Sequence, residues 1–276
     1  MSIQEYFRPQ SIEEATRLLA DQAQGSLILA GGTLAMPLIN DGISMPEMVL
    51  GLKDSGLNYI KDQDKYLVIG ATATLSQMAS QTKISMLSEA ALAVGGWAIR
   101  NMATVGGNFF APPPGGDFTA ALLALDAEIT FVSSQGERTI AVKDFFTGFL
   151  TNSMAPGEII KEVRVPFPEG KTAFTKYGRR HANTPSIVAI AANLGYQSEK
   201  VSKARIALNA VGPYPLRAVM TEDYLLGKSL TEQVIQEAGE IAAGECSPFT
   251  DAIASEWYRR KMVPVILGRT LEQIGD

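Results

Sequence analysis

The chain has 276 residues, of which 46% are hydrophobic and 19% charged, and its formal net charge is −5. This composition is ordinary for a globular protein and excludes disordered, collagen-like and coiled-coil chains. Because there is no basic excess, neither nucleic acid nor an anionic membrane surface is expected as a partner.

The chain contains one cysteine, Cys246, and one histidine, His181, which limits the disulfides, metal sites and iron–sulfur clusters that it can form. One thiol cannot form an internal disulfide, and it cannot ligate an iron–sulfur cluster or a structural zinc ion, since both need several ligands. One imidazole excludes a multi-histidine metal site, although a Ser–His–acid triad needs no more than one. The sequence therefore predicts no metal site. It shows no obvious acid–base pair for substrate chemistry, so we predict no catalytic side chain and interpret His181 as a surface or loop residue.

The sequence predicts no targeting segment. Residues 1–9 have neither a basic start nor an apolar stretch, so no secretory signal is predicted. No run approaches the roughly 18 apolar residues of a membrane helix. We expect a cytoplasmic protein without a membrane partner.

The first part of the chain alternates strand and helix patterns, which is typical of α/β structure. Ser11 and Glu14 match a capping box, and Ala15, Leu18 and Leu19 then share one helical face. The patterns that follow predict strands over 26–30, 48–52 and 66–70, and helices over 74–80 and 85–100.

A glycine- and proline-rich stretch over 106–116 interrupts this alternation. It is too long for a simple turn, and long irregular loops inside a domain are often functional. Beyond it the sequence predicts a helix over 118–125, a hairpin of strands over 127–133 and 138–142, and a strand over 159–165.

Residues 166–171, Pro-Phe-Pro-Glu-Gly-Lys, are the best candidate for a domain boundary. Three strand patterns follow, over 173–177, 187–196 and 204–211, and then three helical patterns, over 216–226, 231–243 and 252–274. Strands followed by helices indicate a separate α+β domain. We therefore predict one domain over 1–168, with two subdomains divided near 55–60, and a second over 172–276.

Two glycine clusters are the candidate binding motifs. Gly31-Gly32-Thr33 directly follows a predicted strand, and Gly106-Gly107-Asn108 follows Thr104-Val105. Glycines let backbone N–H groups crowd together in a concavity that binds phosphate oxygens, so two such loops could hold the two phosphates of a dinucleotide. A Gly-Gly pair after a strand is, however, more often a turn. Neither G-x-G-x-x-G nor a complete Walker A motif occurs.

A longer pattern decides between these interpretations. This pattern comprises residues 99–108, Ile-Arg-Asn-Met-Ala-Thr-Val-Gly-Gly-Asn, then Ala111-Pro112, then Asp117 before 121–128, Ala-Leu-Leu-Ala-Leu-Asp-Ala-Glu. It resembles the flavoprotein signature of the molybdenum hydroxylase family. The resemblance is to the FAD-binding medium subunits of carbon monoxide dehydrogenase and xanthine dehydrogenase type, with a PCMH-like FAD-binding fold. The segments 29–33, 157–166, 174–180 and 256–262 resemble further parts of the same subunits in the same order.

The resemblance implies the fold and the cofactor site. The fold would be α+β: two small α/β subdomains that enclose FAD, followed by a C-terminal α+β domain with a three-stranded antiparallel sheet and helices. The implied FAD-binding residues are Ile28, Leu29, Ala30, Gly31, Gly32, Thr33, Leu34 and Ala35 in a first loop, Thr104, Val105, Gly106, Gly107 and Asn108 in a second loop, and Asp117, Ile160 and Lys176.

The last three of these residues have simpler alternatives. A carboxylate at Asp117 could accept hydrogen bonds from FAD hydroxyls, or it could be a helix N-cap. Ile160 would lie beside the isoalloxazine ring, or only in the core. The ammonium of Lys176 would lie near the pyrimidine edge, where it would stabilise the anionic reduced ring, or be solvated on its strand.

The resemblance also implies an electron-transfer function. Electrons would pass from [2Fe–2S] clusters on a small subunit, in a complex with a large molybdopterin subunit, to FAD on this chain and then to an acceptor such as NAD or oxygen. Two alternatives are a stand-alone flavin oxidase that acts directly on a small molecule, and a scaffold that no longer binds FAD. If the chain binds FAD, replacing Gly107 with a larger residue should abolish flavin retention. If the chain is a scaffold, the same substitution should have little effect.

Overall fold

The computed structural model describes residues 3–21 and 25–275. The outer limits of the two predicted domains, residues 1 and 276, lie outside the described residues. Within it, no helix is both long and apolar enough to cross a membrane.

The amino-terminal layer is a small parallel sheet. Its strands, in the order β1-β3-β2, are β1 (Glu5–Phe7), β2 (Ser26–Leu29) and β3 (Met48–Gly51). The helix α1 (Ile12–Asp21) begins where Ser11 Oγ accepts from the Glu14 N–H at 3.2 Å. The Glu14 carboxylate accepts from the Gln10 N–H at 2.8 Å, one residue before the position that a capping box predicts. A short helix, α2 (Ala35–Asn40), follows β2.

The second layer is a five-stranded sheet that is antiparallel throughout. Its order is β4-β5-β10-β6-β7, and a separate two-stranded ribbon, β8-β9, lies beside it. The strands are β4 (Ile60–Gln63), β5 (Tyr66–Gly70), β6 (Glu128–Ser133), β7 (Gly136–Ala141), β8 (Phe146–Gly148), β9 (Thr151–Asn152) and β10 (Ile159–Pro166), with a 3-10 helix at Val142–Asp144.

Five helices lie between β5 and β6 in the chain. They are α3 (Leu75–Gln81), α4 (Ser85–Ala93), α5 (Trp97–Met102), α6 (Val105–Asn108) and α7 (Asp117–Ala124). The single helix predicted over 85–100 is thus wrong, because Gly95 adopts a φ of +53° and divides it. Arg100 Nη1 donates to the carbonyls of Leu92, Val94 and Gly95 and so closes the end of α4.

The carboxy-terminal part carries the third sheet. The strands β11 (Lys171–Gly178), β12 (Ser186–Gln197), β13 (Lys200–Asn209) and β14 (Leu216–Arg217) are antiparallel, and α8 (Val219–Leu225), α9 (Glu232–Glu245) and α10 (Glu256–Gly275) follow. The three predicted strands are present. The helix predicted from residue 216 begins later, because Leu216 and Arg217 pair with β13 as a fourth strand. The predicted α+β class is confirmed.

The central strand β12 is covered on both faces, which explains its nearly continuous apolar sequence. Ala189 and Ala191 belong to the core of the amino-terminal part, whereas Val188 and Ile190 belong to the core formed with the carboxy-terminal helices. The small residues on the first face let α7, all of whose residues are buried, pack directly on β12 and β13. The two parts of the chain therefore meet across α7.

Candidate cofactor-binding site

A cleft of about 890 Å³ lies where the parallel sheet, the helices α5 to α7 and the strand β11 meet. All the sequence-predicted binding residues except Val105 line it. Val105 is fully buried in the core behind the cleft. The fold thus brings together residues from four separate regions of the chain, in a volume at the upper end of the range for ligand sites.

The first glycine loop is packed tightly against α5. A Cβ on Gly31 would lie 1.8 Å from the carbonyl oxygen of Met102, so only glycine fits this approach. Gly32 adopts a φ of +73°, which also favours glycine. Among the hydrogen bonds of residues 3–21 and 25–275, none is donated by the backbone N–H of Gly31, Gly32 or Thr33. This loop therefore offers the predicted unpaired donors.

The second glycine loop differs from the expectation of free backbone donors. It forms the short helix α6, capped by Thr104, whose Oγ1 accepts from the Gly107 N–H at 3.1 Å. The Val105 and Gly106 N–H groups donate to the carbonyls of Ala73 and Ala71, at 2.9 Å each, and the Asn108 N–H donates to Thr104 O at 3.0 Å. All four N–H groups are thus used within the chain. The donors left to face the cleft are side chains, the Thr104 hydroxyl and the Asn108 amide.

Asp117 and Lys176 form an ion pair at the cleft wall. Lys176 Nζ donates to Asp117 Oδ2 at 2.7 Å and to the Ala93 carbonyl at 2.7 Å. Asp117 Oδ1 accepts from Ser186 Oγ at 2.7 Å and from Asn209 Nδ2 at 2.8 Å. Asp117 is 4% exposed. It is not the N-cap of α7, since Gly116 occupies that position and Asp117 is the first helical residue; Lys176 is likewise paired rather than solvated.

Ile160 also lines the cleft, as does Glu158, a buried carboxylate that the sequence analysis did not single out. Ile160 is 5% exposed and lies at a register shift in β10. Nearby, Glu158 accepts from Arg138 Nε at 2.5 Å, from Arg138 Nη2 at 2.7 Å and from the Ala155 N–H at 2.7 Å. Burial opposes ionisation of Glu158, but these hydrogen bonds outweigh it and hold the pKa of Glu158 below its ordinary value.

Two further segments line the cleft. One is the stretch 112–116, which belongs to the glycine- and proline-rich loop over 106–116. The length of that loop led us to expect a functional segment. The other comprises Asn183, Thr184 and Pro185, in the turn between β11 and β12. No motif in the sequence marks this turn, because tertiary packing alone brings it to the cleft.

The site suits a dinucleotide with a large aromatic ring. The first loop provides unpaired N–H groups and the second provides side-chain donors, as an anionic pyrophosphate requires. Ile28, Leu34 and Ile160 provide apolar lining. The residues present therefore fit FAD.

Comparison with known proteins agrees with this geometry. Residues 1–168 match the family described as the FAD binding domain in molybdopterin dehydrogenase. Residues 173–274 match the CO dehydrogenase flavoprotein C-terminal domain.

Individual relatives match over nearly the whole length. The chain is 33% identical to a 6-hydroxypseudooxynicotine dehydrogenase complex subunit alpha from Paenarthrobacter nicotinovorans, over 97% of this chain and 93% of the relative. It is 29% identical to a carbon monoxide dehydrogenase medium chain from Afipia carboxidovorans, over 98% and 96% of the two chains.

Solved structures agree as well. Reconstituted CO dehydrogenase from Oligotropha carboxidovorans matches with a TM-score of 0.94 and 29% identity, over 99% of this chain and 98% of that chain. The resemblance, the FAD cofactor and the oxidoreductase class predicted from the sequence are confirmed. The chain belongs to the family of FAD-binding medium subunits of molybdenum hydroxylases.

Proposed function

We propose that this chain is the electron-transfer subunit of a molybdenum hydroxylase complex. It takes electrons from [2Fe–2S] clusters on a small partner subunit and delivers them to an external acceptor such as NAD or oxygen, while a large molybdopterin subunit oxidises the substrate. The observation that carries the proposal is the single cleft shared by two glycine loops and the Asp117–Lys176 pair, in a chain of this family.

The two loops hold the pyrophosphate by different means. Gly31, Gly32 and Thr33 contribute unpaired backbone N–H groups. Thr104 and Asn108 contribute side-chain donors, because the N–H groups of the second loop already have partners. The other residues implied at the two loops shape the cleft wall, except Val105, which supports the wall from behind. Those that shape the wall are Ile28 to Ala30, Leu34, Ala35, Gly106 and Gly107.

The flavin end of the site combines an apolar residue with a cation. FAD supplies the redox chemistry when bound, since it exchanges electrons singly or in pairs. Ile160 would exclude water at the cleft wall, and Lys176 would hold a positive charge near the ring of bound FAD, which would favour electron uptake. The chain thus tunes the cofactor rather than reacting itself.

The charged side chains of the cleft argue against a stand-alone flavin oxidase, which would need a free base. The titratable residues among the described lining are Asp117, Glu158 and Lys176. Asp117 is paired with Lys176, and Glu158 is paired with Arg138. Neither carboxylate is available to abstract a proton from a substrate.

The cysteine count supports a partner chain. The sequence contains one cysteine, so the cluster ligands must come from another polypeptide. The relatives named above include a subunit of a dehydrogenase complex and a medium chain, which supports assembly with partner subunits.

The first test is the visible absorption spectrum of the purified chain, with heat release and chromatography of any chromophore. Oxidised-flavin bands with release of FAD are expected, directly or after incubation with FAD. Failure to take up added FAD would refute the cofactor site. Expression with the neighbouring genes should then co-purify an iron–sulfur chain whose reduced clusters bleach the flavin bands, and turnover of an organic substrate by the isolated chain would favour the oxidase.

A further inference from the structure

The carboxy-terminal sheet presents a row of side chains that receives Asp117. Lys176, Ala189 and Asn209 are direct cross-strand neighbours on β11, β12 and β13. Ala189 belongs to the core on the α7 side, so the row faces α7. Because the middle residue of the row is small, a carboxylate from α7 can enter between Lys176 and Asn209.

Both carboxylate oxygens of Asp117 accept hydrogen bonds from this row and its neighbour Ser186. Asp117 Oδ1 receives two donors, Ser186 Oγ at 2.7 Å and Asn209 Nδ2 at 2.8 Å, and Oδ2 receives Lys176 Nζ at 2.7 Å. Ser186 and Asn209 are 0% and 1% exposed, so neither reaches the cleft directly. The Ser186 hydroxyl contacts Asp117, whereas Asn209 Nδ2 also donates, at 3.5 Å, to the carbonyl of Pro114, which lines the cleft.

We propose that Ser186 and Asn209 are positioning residues that fix Asp117, and that Asp117 in turn fixes the ammonium of Lys176 at the flavin. In this role Asp117 acts as the oriented counter-ion of Lys176. The inference rests on the proposed function, because it needs Lys176 to act on bound FAD.

The physical basis is the geometry of a lysine side chain. An ammonium on a flexible four-carbon stem is a mobile point charge unless its partners restrain it. The Ala93 carbonyl, at the end of α4, and Asp117 restrain Lys176 from two sides. If Asp117 loses its two other donors, its carboxylate can rotate and Lys176 is held less firmly.

The experiment measures the flavin midpoint potential, the Kd for FAD and the melting temperature of Ser186→Ala, Asn209→Leu, Lys176→Met and Asn209→Leu/Lys176→Met. Lys176→Met should lower the potential, since the cation that stabilises the reduced ring is lost. Ser186→Ala and Asn209→Leu should lower it in the same direction by less. In the double variant, Asn209→Leu should cause no further shift.

Asp126→Asn is the matched control. Asp126 lies just beyond the other end of α7 and pairs with Arg205 and Arg217 of the carboxy-terminal part, at 2.6 and 2.7 Å. This variant weakens another ionic contact between the two parts, at a more exposed carboxylate, without touching the Lys176 row. It should lower the melting temperature and leave the potential unchanged.

The outcomes separate the two proposals. No FAD uptake by the unaltered chain refutes the proposed function. A potential that falls in Lys176→Met but stays unchanged in Ser186→Ala and Asn209→Leu overturns this inference alone, as does an equal Asn209→Leu shift with and without Lys176. Ser186→Ala keeps the test valid if Asn209→Leu does not fold, because it removes a single hydroxyl.

Discussion

Substitution of Gly31 by alanine tests whether the first loop needs its close approach to α5. The new Cβ would lie 1.8 Å from the Met102 carbonyl oxygen. A tolerable carbon–oxygen contact is about 3.3 Å, so the loop must move by about 1.5 Å. The obstacle is backbone and cannot rotate away, and such overpacking costs about 1–3 kcal/mol of stability.

The same displacement should weaken FAD binding. Hydrogen bonds from N–H groups to oxygen span only about 2.7–3.2 Å, so a shift of this size breaks them. Each bond to a charged phosphate contributes about 1.5–3 kcal/mol, so the loss of one bond raises the Kd about tenfold or more. Fluorescence titration of the apo chain with FAD measures the Kd, and thermal unfolding measures the stability.

Gly244→Ala is the matched control. Gly244 lies in α9, and no atom lies within 4 Å of its added Cβ. Alanine in a helix is more stable than glycine by about 0.5–1 kcal/mol, so this variant should bind FAD normally and melt no lower. A folded Gly31→Ala variant that binds FAD as tightly as the unaltered chain would refute the reasoning about the loop.

Four further predictions concern separate features. Gly107→Val should abolish FAD retention by displacing the Thr104 cap, since even a Cβ comes within 2.9 Å of Thr104 Oγ1; absorption after gel filtration measures the retained flavin. Arg259→Met should cost about 3–5 kcal/mol in urea unfolding, because it leaves three carbonyls and Asp251 without their buried partner. The pKa of Glu158 is lowered by folding, so its stabilisation is present above its ordinary pKa of 4.5 and is lost as the pH falls through the folded value; melting temperatures of Glu158→Gln should fall less steeply in acid. Burial raises the pKa of the Cys246 thiol to about 12, so iodoacetamide at pH 8 should alkylate the unfolded chain alone, as mass spectrometry would detect.

Strong local patterns predicted the main elements because burial dictated those patterns. The apolar run in β12 reflects burial on both faces, and the Ser11–Glu14 pair marks a helix start that forms nearly as expected. The short strands β1, β4 and β14 carry no such pattern. Residues 61–63 of β4, for example, are polar and exposed, and they form a strand because β5 offers a partner.

The candidate site was predictable in its composition but not in its hydrogen bonds. Glycine clusters and the longer pattern indicated which residues gather at the cleft. Whether an N–H group is free, however, depends on distant carbonyls. The N–H groups of Val105 and Gly106 donate to the carbonyls of Ala73 and Ala71, which follow β5 of the five-stranded sheet. No spacing in the sequence encodes that pairing.

The helix α7 connects cofactor binding to the assembly of the two parts of the chain. Its first residue, Asp117, contacts Lys176, Ser186 and Asn209, and Asp126 beyond its other end contacts Arg205 and Arg217. The apolar residues between them are buried against β12 and β13. Because separating the two parts would expose these apolar residues to water, the amino-terminal part cannot expose this helix without a large penalty. The cleft wall that carries Lys176 is therefore complete only when both parts are folded and docked, so the carboxy-terminal part is itself a component of the candidate cofactor-binding cleft.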